Sequence, residues 1–208
     1  MVHIRALQVG PIATNCYVVH DENGLAFLVD AGYEYDVILE ALRGLELTHI
    51  LLTHAHFDHI GGAAKLKEAT GARLLVHAAE ADWLTDPRLN LSYARSEYIP
   101  WPVEGPPADE LLEDGQRLRL LGEEIEVRHT PGHSPGHVSY VMGDVVFGGD
   151  ALFHGSIGRT DLPGGDGPTL LRSIRTRLFT LDPAVTVLPG HGPPTTIGRE
   201  RSENPFLA

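Results

Sequence analysis

A short stretch from Thr53 to His59 brings together residue types that bind metal ions. Within it stand His54, His56, Asp58 and His59, which are three histidines and one aspartate in six residues. Neutral imidazole and carboxylate are ligands that zinc, iron and manganese accept. A lone histidine is more often a core or surface residue, but packing alone gives no reason for this spacing. The stretch therefore predicts a metal site.

Three further ligand candidates, His133, Asp150 and His191, each follow a predicted apolar strand and stand beside a glycine. Glycine lets the backbone approach closely and leaves the neighbouring side chain exposed at a sheet edge. With the first four residues they make a set that suits two metal ions sharing a carboxylate, each ion keeping an open position. A closed structural zinc site commonly uses several thiolates, and this chain has a single cysteine.

Hydrolysis is one chemistry that such a two-metal site can perform. Two metal ions about 3.5–4 Å apart can hold a bridging hydroxide at neutral pH and polarise a carbonyl group. Asp58 would bind one ion and orient the hydroxide, while the metals would hold the charge of the tetrahedral intermediate. The motifs contain no evident second acid. This favours thioesters over amides, because a leaving thiolate needs no strong general acid.

Short strands are predicted around these residues. Asn15–His20 and Leu25–Asp30 are separated by Asp-Glu-Asn-Gly, which is a strong hairpin signal. A third strand, Leu47–Leu52, leads directly into the histidine-rich stretch. The other predicted strands are Val2–Val9, Arg73–Val76, Leu118–Leu121, Glu124–His129, Val138–Met142, Val145–Phe147 and Ala184–Leu188.

Helical spacing predicts helices over Tyr35–Leu42, His59–Ala69, Ala78–Leu84 and Thr169–Phe179. A short polar tail is predicted after the last strand. The order is a block of strands, two helices, more strands, and then a helix and a strand. This order predicts mixed sheets that pack face to face with helices outside.

The region from 87 to 107 is rich in proline, tyrosine and tryptophan and has no period, which predicts a long loop. One interpretation is a surface excursion that packs its own Tyr93, Tyr98 and Trp101. The other interpretation, which we favour, is one wall of a substrate cleft.

Asp30, at the end of a predicted strand, also has two interpretations. It is either an ordinary turn former or the acceptor that fixes the tautomer of a ligating histidine. His137 and His154 stand near the candidate ligands in sequence, so roles in supporting the ligands or the substrate stay open for both.

Composition narrows the function classes. The chain has 208 residues and 42% hydrophobic content, enough for one sizeable domain over 1–208. A net charge of -12 repels phosphate backbones, so we expect no nucleic-acid partner. The N-terminus does not resemble an export signal, no apolar run is long enough to cross a membrane, and Cys16 has no partner for an internal disulfide. We therefore expect a soluble cytoplasmic protein without a membrane partner, as a monomer or small homo-oligomer.

Four ordered motifs resemble the metallo-β-lactamase superfamily, and more closely its one-domain, glyoxalase II-like branch. The motifs are His-x-His-x-Asp-His at 54–59, Thr-Pro-Gly-His at 130–133, Gly-Asp at 149–150 and Pro-Gly-His-Gly at 189–192. The resemblance implies an α+β fold, the four-layer αββα sandwich, with the site at one edge of the two sheets. It also implies the metal ligands: His54, His56 and His133 for one ion, Asp58, His59 and His191 for the other, Asp150 as the bridge, and Asp30 outside the ligand shell.

The resemblance implies a hydroxyacylglutathione hydrolase (glyoxalase II) that acts on a small-molecule thioester with two divalent metal ions, zinc by preference and iron or manganese otherwise. The chain departs from glyoxalase II in ending soon after His191, where those enzymes carry a helical part that helps bind glutathione. It also has Arg159 and Asp161 where they place a lysine and a tyrosine. Arg159 can still bind a substrate carboxylate in bidentate fashion.

The motifs and the charge also bear on other functions. Gly-Arg-Thr-Asp at 158–161 also occurs in persulfide dioxygenases, which use a single iron, so a mononuclear-iron dioxygenase is the alternative. A β-lactamase is less well supported, because those enzymes usually lack the bridging aspartate and the chain shows no export signal. The acidic charge disfavours a nuclease, and a non-catalytic metal-binding protein is the remaining class.

Overall fold

The computed structural model describes residues 1–94, 97, 99 and 102–207 of the chain. The chain divides into two compact units, Met1–Leu112 and Glu113–Ala208. The single domain expected over 1–208 stays a prediction. Tyr98 and Trp101, which the loop interpretation invoked, lie outside the described residues.

The first unit is built on a mixed sheet whose strands follow one another across the sheet in chain order. Its first three strands are antiparallel, and the third to the sixth are parallel. The predicted hairpin at 15–30 is confirmed. Among the described residues the strands are β1 (Val2–Val9), β2 (Thr14–Asp21), β3 (Leu25–Val29), β4 (Glu46–Leu51), β5 (Arg73–His77) and β6 (Glu110–Leu112).

Crossover connections join the parallel strands of this sheet, and those after β3 and β4 contain α-helices. Helix α1 (Tyr35–Ala41) lies between β3 and β4, and α2 (Phe57–Ile60) and α3 (Ala63–Thr70) lie between β4 and β5. Two 3-10 helices follow β5, at Ala78–Leu84 and Ser92–Ala94. The helix predicted over Ala78–Leu84 is therefore present, as a 3-10 helix.

The prediction of a single helix over His59–Ala69 is wrong. Two glycines separate α2 from α3, so the segment forms two short helices. The backbone there passes so close to neighbouring segments that no side chain fits. A Cβ on Gly62 would lie 2.4 Å from the carbonyl oxygen of Gly32, and a Cβ on Gly61 would lie 2.7 Å from the ring of Tyr33.

Parallel pairing brings the ends of β3 and β4 to the same edge of the first sheet. The backbone N–H of Asp30 donates to the carbonyl of Leu51 at 2.9 Å. Side chains that follow the carboxyl ends of parallel strands meet at this edge, where ligands bind in open α/β sheets. Asp30 and the stretch Thr53–His59 are therefore neighbours in space although they are far apart in sequence.

The second unit is built on another mixed sheet, in the spatial order β14-β13-β10-β9-β8-β7. The neighbours β10 and β13 are parallel, and the other pairs are antiparallel. A small hairpin that the sequence did not predict, β11 (Leu152–Phe153) with β12 (Ser156–Ile157), follows Asp150. The strands of this sheet in the described residues are β7 (Arg117–Leu120), β8 (Glu123–His129), β9 (Val138–Met142), β10 (Val145–Gly149), β13 (Thr186–Pro189) and β14 (Thr195–Thr196).

The helices of the second unit differ from prediction in two places. Helix α4 (Gly167–Ser173), capped by the Asp166 carboxylate, continues into a π-helical turn at Ile174–Leu178. The polar tail after the last predicted strand contains a helix that the sequence analysis did not predict, α5 (Ile197–Glu203). Thr196 caps α5 by accepting a hydrogen bond from the backbone N–H of Arg199.

Each unit buries its own apolar core. Strands β3 and β5 are apolar over most of their length and mostly buried. In the part of the chain that the structure describes, no helix combines the length and apolar character needed to cross a membrane. Residues of the first core include Val18, Leu28, Ile50, Leu66 and Leu74, and residues of the second include Val146, Leu152, Leu170, Ile174 and Val187.

Candidate metal-binding site

The histidine-rich stretch of the first unit folds into a tight cluster at the edge of its sheet. The ring centroids of His54 and His59 are 4.1 Å apart, and those of His54 and His56 are 4.7 Å apart. These three rings and the Asp58 side chain are buried. The turn after β4 therefore brings together the four ligand candidates that the sequence placed within it.

Asp30 supports this cluster with its carboxylate. Its Oδ1 accepts the backbone N–H of Thr53 at 2.8 Å, and its Oδ2 accepts the Thr53 hydroxyl at 2.9 Å. The same Oδ2 lies 2.8 Å from Nδ1 of His59. Asp30 holds this position with a positive φ of 60°, a conformation that aspartate tolerates better than most residues.

These contacts determine the tautomers of two histidines. The Nδ1–H group of His59 donates a hydrogen bond to Asp30, so the lone pair of the neutral ring is on Nε2. The Thr53 hydroxyl donates its hydrogen bond to Asp30. Its oxygen therefore accepts a hydrogen bond from Nδ1–H of His54, at 3.1 Å. His54 therefore also carries its lone pair on Nε2. Both rings are set as metal ligands by one carboxylate.

Asp58 lies beside the Nε2 atom of His59. Its Oδ2 is 3.2 Å from that nitrogen and accepts the hydroxyl of Thr14 at 2.9 Å. A nitrogen lone pair and a carboxylate oxygen at this distance repel each other unless a cation or a proton lies near both. The pair fits a divalent cation.

Glu80, which no sequence pattern predicted as a site residue, is a fully buried carboxylate that contacts the backbone of this cluster. Its Oε2 accepts the backbone N–H of Ala55 at 2.6 Å, so it holds the residue between His54 and His56. The Trp83 ring lies 5.7 Å from the His56 ring. No sequence signal marks Glu80, because its role depends on a contact across 25 residues of chain.

In the second unit the structure brings Asp150, His133 and His191 together. The Oδ2 atom of Asp150 lies 3.6 Å from Nε2 of His133 and 3.6 Å from Nε2 of His191. His133 and Asp150 are buried, and the side chain of His191 is 25% exposed. One carboxylate oxygen near two imidazole nitrogens is a set of donors that can hold a divalent cation.

The loop around His133 is held by backbone contacts. Nδ1 of His133 donates to the carbonyl of Arg159 at 2.8 Å, which leaves its Nε2 lone pair toward Asp150. Gly158, the residue before Arg159, lies against the backbone of Asp150, where a Cβ would be 1.8 Å from the Asp150 carbonyl oxygen.

Arg159, predicted to bind substrate, places its guanidinium in a bidentate ion pair with Asp161. Its Nε and Nη2 atoms are each 2.8 Å from an oxygen of that carboxylate. Both side chains are more than half exposed. The Nε–Nη2 edge of the guanidinium is therefore engaged by Asp161, and binding of a substrate by Arg159 stays a prediction.

The donor chemistry of each unit fits divalent cations. The first unit offers three imidazoles and a carboxylate, and the second offers two imidazoles and a carboxylate, all nitrogen and oxygen ligands. Zinc, iron and manganese accept such ligands, and the donor types alone do not select among them.

Comparisons with known proteins add a family to this geometry. A sequence profile described as the metallo-beta-lactamase superfamily matches residues 9–191. The probable metallo-hydrolase YqgX of Bacillus subtilis is 43% identical, with 98% of this chain and 96% of the relative covered. The hydroxyacylglutathione hydrolase GloC of Haemophilus influenzae is 35% identical, over 99% of this chain and 98% of the relative.

Solved structures are similar over nearly the whole chain. One described as BLEG-1 B3 metallo-beta-lactamase has a TM-score of 0.94 and 41% identity, covering 99% of this chain and 100% of that one. Another, TTHA1623 in a di-iron-bound form, has a TM-score of 0.86 and 40% identity, covering 98% and 100%. ETHE1 from Myxococcus xanthus has a TM-score of 0.81 and 31% identity, covering 98% and 83%.

Proposed function

Since this chain belongs to the metallo-beta-lactamase superfamily, we propose that it hydrolyses thioesters of the hydroxyacylglutathione type with bound metal ions. The chain is a metallo-hydrolase with the metallo-β-lactamase fold, and the α+β class predicted from the resemblance is confirmed. The thioester substrate and the use of two metal ions are the proposal.

The observation that carries the proposal is the position of Asp150 between two histidines. A carboxylate oxygen 3.6 Å from two Nε2 atoms suits a ligand that two cations share. We assign Asp150 as this bridge. The remaining ligands follow the motifs: His54, His56 and His133 for one ion, and Asp58, His59 and His191 for the other.

When bound, two such ions supply a deprotonated water at neutral pH and polarise the acyl carbonyl. The side chains of this protein prepare the site for that chemistry. Asp30 holds the Nε2 lone pairs of His54 and His59 in place through the contacts described above. Asp58, with one oxygen engaged by Thr14, is in place to accept a hydrogen bond from the attacking water.

A thioester substrate suits this chain because its motifs contain no evident second acid that could protonate a leaving group. A thiol of pKa about 8.5 leaves as thiolate without a strong general acid. We further propose that Arg159 binds a carboxylate of the substrate, with Asp161 orienting the guanidinium. The similarity to a hydroxyacylglutathione hydrolase supports S-lactoylglutathione as the first substrate to test.

The test is hydrolysis of S-lactoylglutathione by the full chain loaded with zinc, iron or manganese, with metal content measured on the same preparation. We expect turnover that needs about two ions per chain and is lost in Asp150→Asn. Two bound ions without hydrolysis of any thioester in a small panel would remove the proposal.

A second candidate, β-lactam hydrolysis, is favoured by the 41% identity to a structure described as a B3 metallo-beta-lactamase. A cephalosporin included in the same panel tests it directly. The iron-dependent persulfide dioxygenase alternative predicts a different result. One iron per chain, with oxygen uptake on glutathione persulfide, would select that alternative.

A further inference from the structure

His137 is a fully buried histidine that stands outside the proposed ligand set. It lies just before β9, four residues after His133 in the sequence. Its Nε2 accepts the backbone N–H of Asp150 at 2.9 Å. This imidazole therefore holds the main chain of the proposed bridging carboxylate.

The contact with Asp150 determines which nitrogen of His137 carries the proton. Because Nε2 accepts a hydrogen bond, the proton of the neutral ring is on Nδ1. That N–H donates to the hydroxyl oxygen of Thr130 at 2.9 Å. The Thr130 hydroxyl lies 3.0 Å from the Ser139 hydroxyl, so it can donate a hydrogen bond to the Ser139 oxygen while it accepts one from His137.

Thr130 and His137 also close the loop that carries His133. The backbone N–H of Thr130 donates to the carbonyl of His137 at 2.8 Å, so backbone and side chain join the same two residues. The His133 ring packs edge-on against the His137 ring, with centroids 6.1 Å apart. One imidazole thus contacts the loop of one proposed ligand and the backbone of another.

We propose that His137 is a positioning residue, which sets the separation between the His133 ring and the Asp150 carboxylate. The proposal rests on the proposed function, in which both residues bind metal. Its geometric basis is the two hydrogen bonds of the His137 ring, one from the backbone N–H of Asp150 and one to the Thr130 hydroxyl. Outer residues of this kind, which orient ligands without binding the ion, commonly change metal affinity by about 10–100-fold when replaced.

The experiment measures zinc affinity of the full chain by competition with a chromophoric chelator, together with the Tm of the metal-free protein. His137→Phe keeps a ring of similar size and removes both nitrogens. We expect zinc to bind about 10–100-fold more weakly in this variant. His137→Gln, whose amide oxygen can still accept the Asp150 N–H, should bind zinc more tightly than His137→Phe.

His129→Phe is the matched control. Its imidazole contacts the carbonyl of Pro135 at 2.8 Å within the same loop, and that contact does not include Asp150. A merely structural role of His137 predicts equal zinc affinity in His137→Phe and His129→Phe after a similar fall in Tm. That result would overturn the proposal.

Thr130→Val provides a second variant if His137→Phe does not fold. It keeps the shape of the side chain and removes the acceptor for Nδ1, so we expect weaker zinc binding than in the wild type. Unchanged zinc affinity in Thr130→Val would count against the proposal. If the expected order of affinities appears but no thioester is hydrolysed, the positioning role stands and the proposed function fails.

Discussion

The Nδ1 atom of His59 lies 2.8 Å from Oδ2 of Asp30, and both side chains are buried at the edge of the first sheet. The pair joins residues that follow two parallel strands, β3 and β4. It aims the histidine lone pair away from the carboxylate, in the direction from which a metal ion would bind. This contact shows how the backbone pairing of a sheet orients a side chain for chemistry.

Asp30→Asn should weaken zinc binding by about 10–100-fold. The amide places an N–H donor toward His59 or Thr53, where the carboxylate now accepts both. Asparagine tolerates the positive φ at this position, so backbone strain does not explain a loss. Chelator competition on the metal-free protein measures the effect. Wild-type affinity in this variant would show that Asp30 does not orient a ligand.

Glu80→Ala should destabilise the metal-free protein by about 1–3 kcal/mol, because the buried N–H of Ala55 loses its acceptor. Glu80→Gln should retain more of the stability, since its amide oxygen can still accept. Glu68→Ala, on the exposed side of α3, serves as the control and should change stability by less than about 0.5 kcal/mol. Urea unfolding measures all three. Equal stability of Glu80→Ala and Glu68→Ala would contradict the prediction.

Gly158→Ala should reduce both stability and metal binding. The new Cβ would lie 1.8 Å from the Asp150 carbonyl oxygen and 3.3 Å from Nδ1 of His133, so the backbone must move. Gly167→Ala is the matched control, since its Cβ would come no closer than 3.3 Å, to the Thr160 hydroxyl. Thermal unfolding and zinc titration compare the two variants. A Gly158→Ala protein with the Tm of Gly167→Ala would sink this prediction.

Cys16 should resist thiol reagents in the folded protein. Burial raises the pKa of its thiol, the charge of Asp30 raises it further, and the thiol donates to the Asp30 carbonyl. We expect no reaction with dithionitrobenzoate at about pH 8 until guanidinium unfolds the chain. Equally fast labelling of the folded and unfolded protein would refute this expectation.

The same thiol makes stability depend on pH. Because the folded pKa is raised, the stabilising contribution is fully present below the unfolded pKa of about 8.5 and falls as the pH rises above it. Cys16→Ala should therefore lose less stability than the wild type between about pH 8 and pH 10. Denaturation curves of both proteins at each pH give the free energy of unfolding. An identical dependence of that free energy on pH in the two proteins would contradict the prediction.

The sequence alone predicted the chemistry of the ligand candidates and most of the strands. The residues at 54–59 are neighbours along the chain, so their convergence needed only a turn after a strand. The Asp-Glu-Asn-Gly turn likewise identifies the hairpin at 15–30, because turn type is a local property. These features depend on residues close together in the chain.

Only the tertiary structure decided the contacts that orient those ligands. Asp30 meets His59, Glu80 meets Ala55, and Asp150 meets His137 because strand pairing and loop closure bring separate segments together. The close approach of Gly62 to the carbonyl oxygen of Gly32 likewise joins segments that are distant in sequence. Residue types and spacing determine which atoms can bind a metal ion. The packing of distant segments determines where their lone pairs point, because a hydrogen bond depends on position in space and not on separation along the chain.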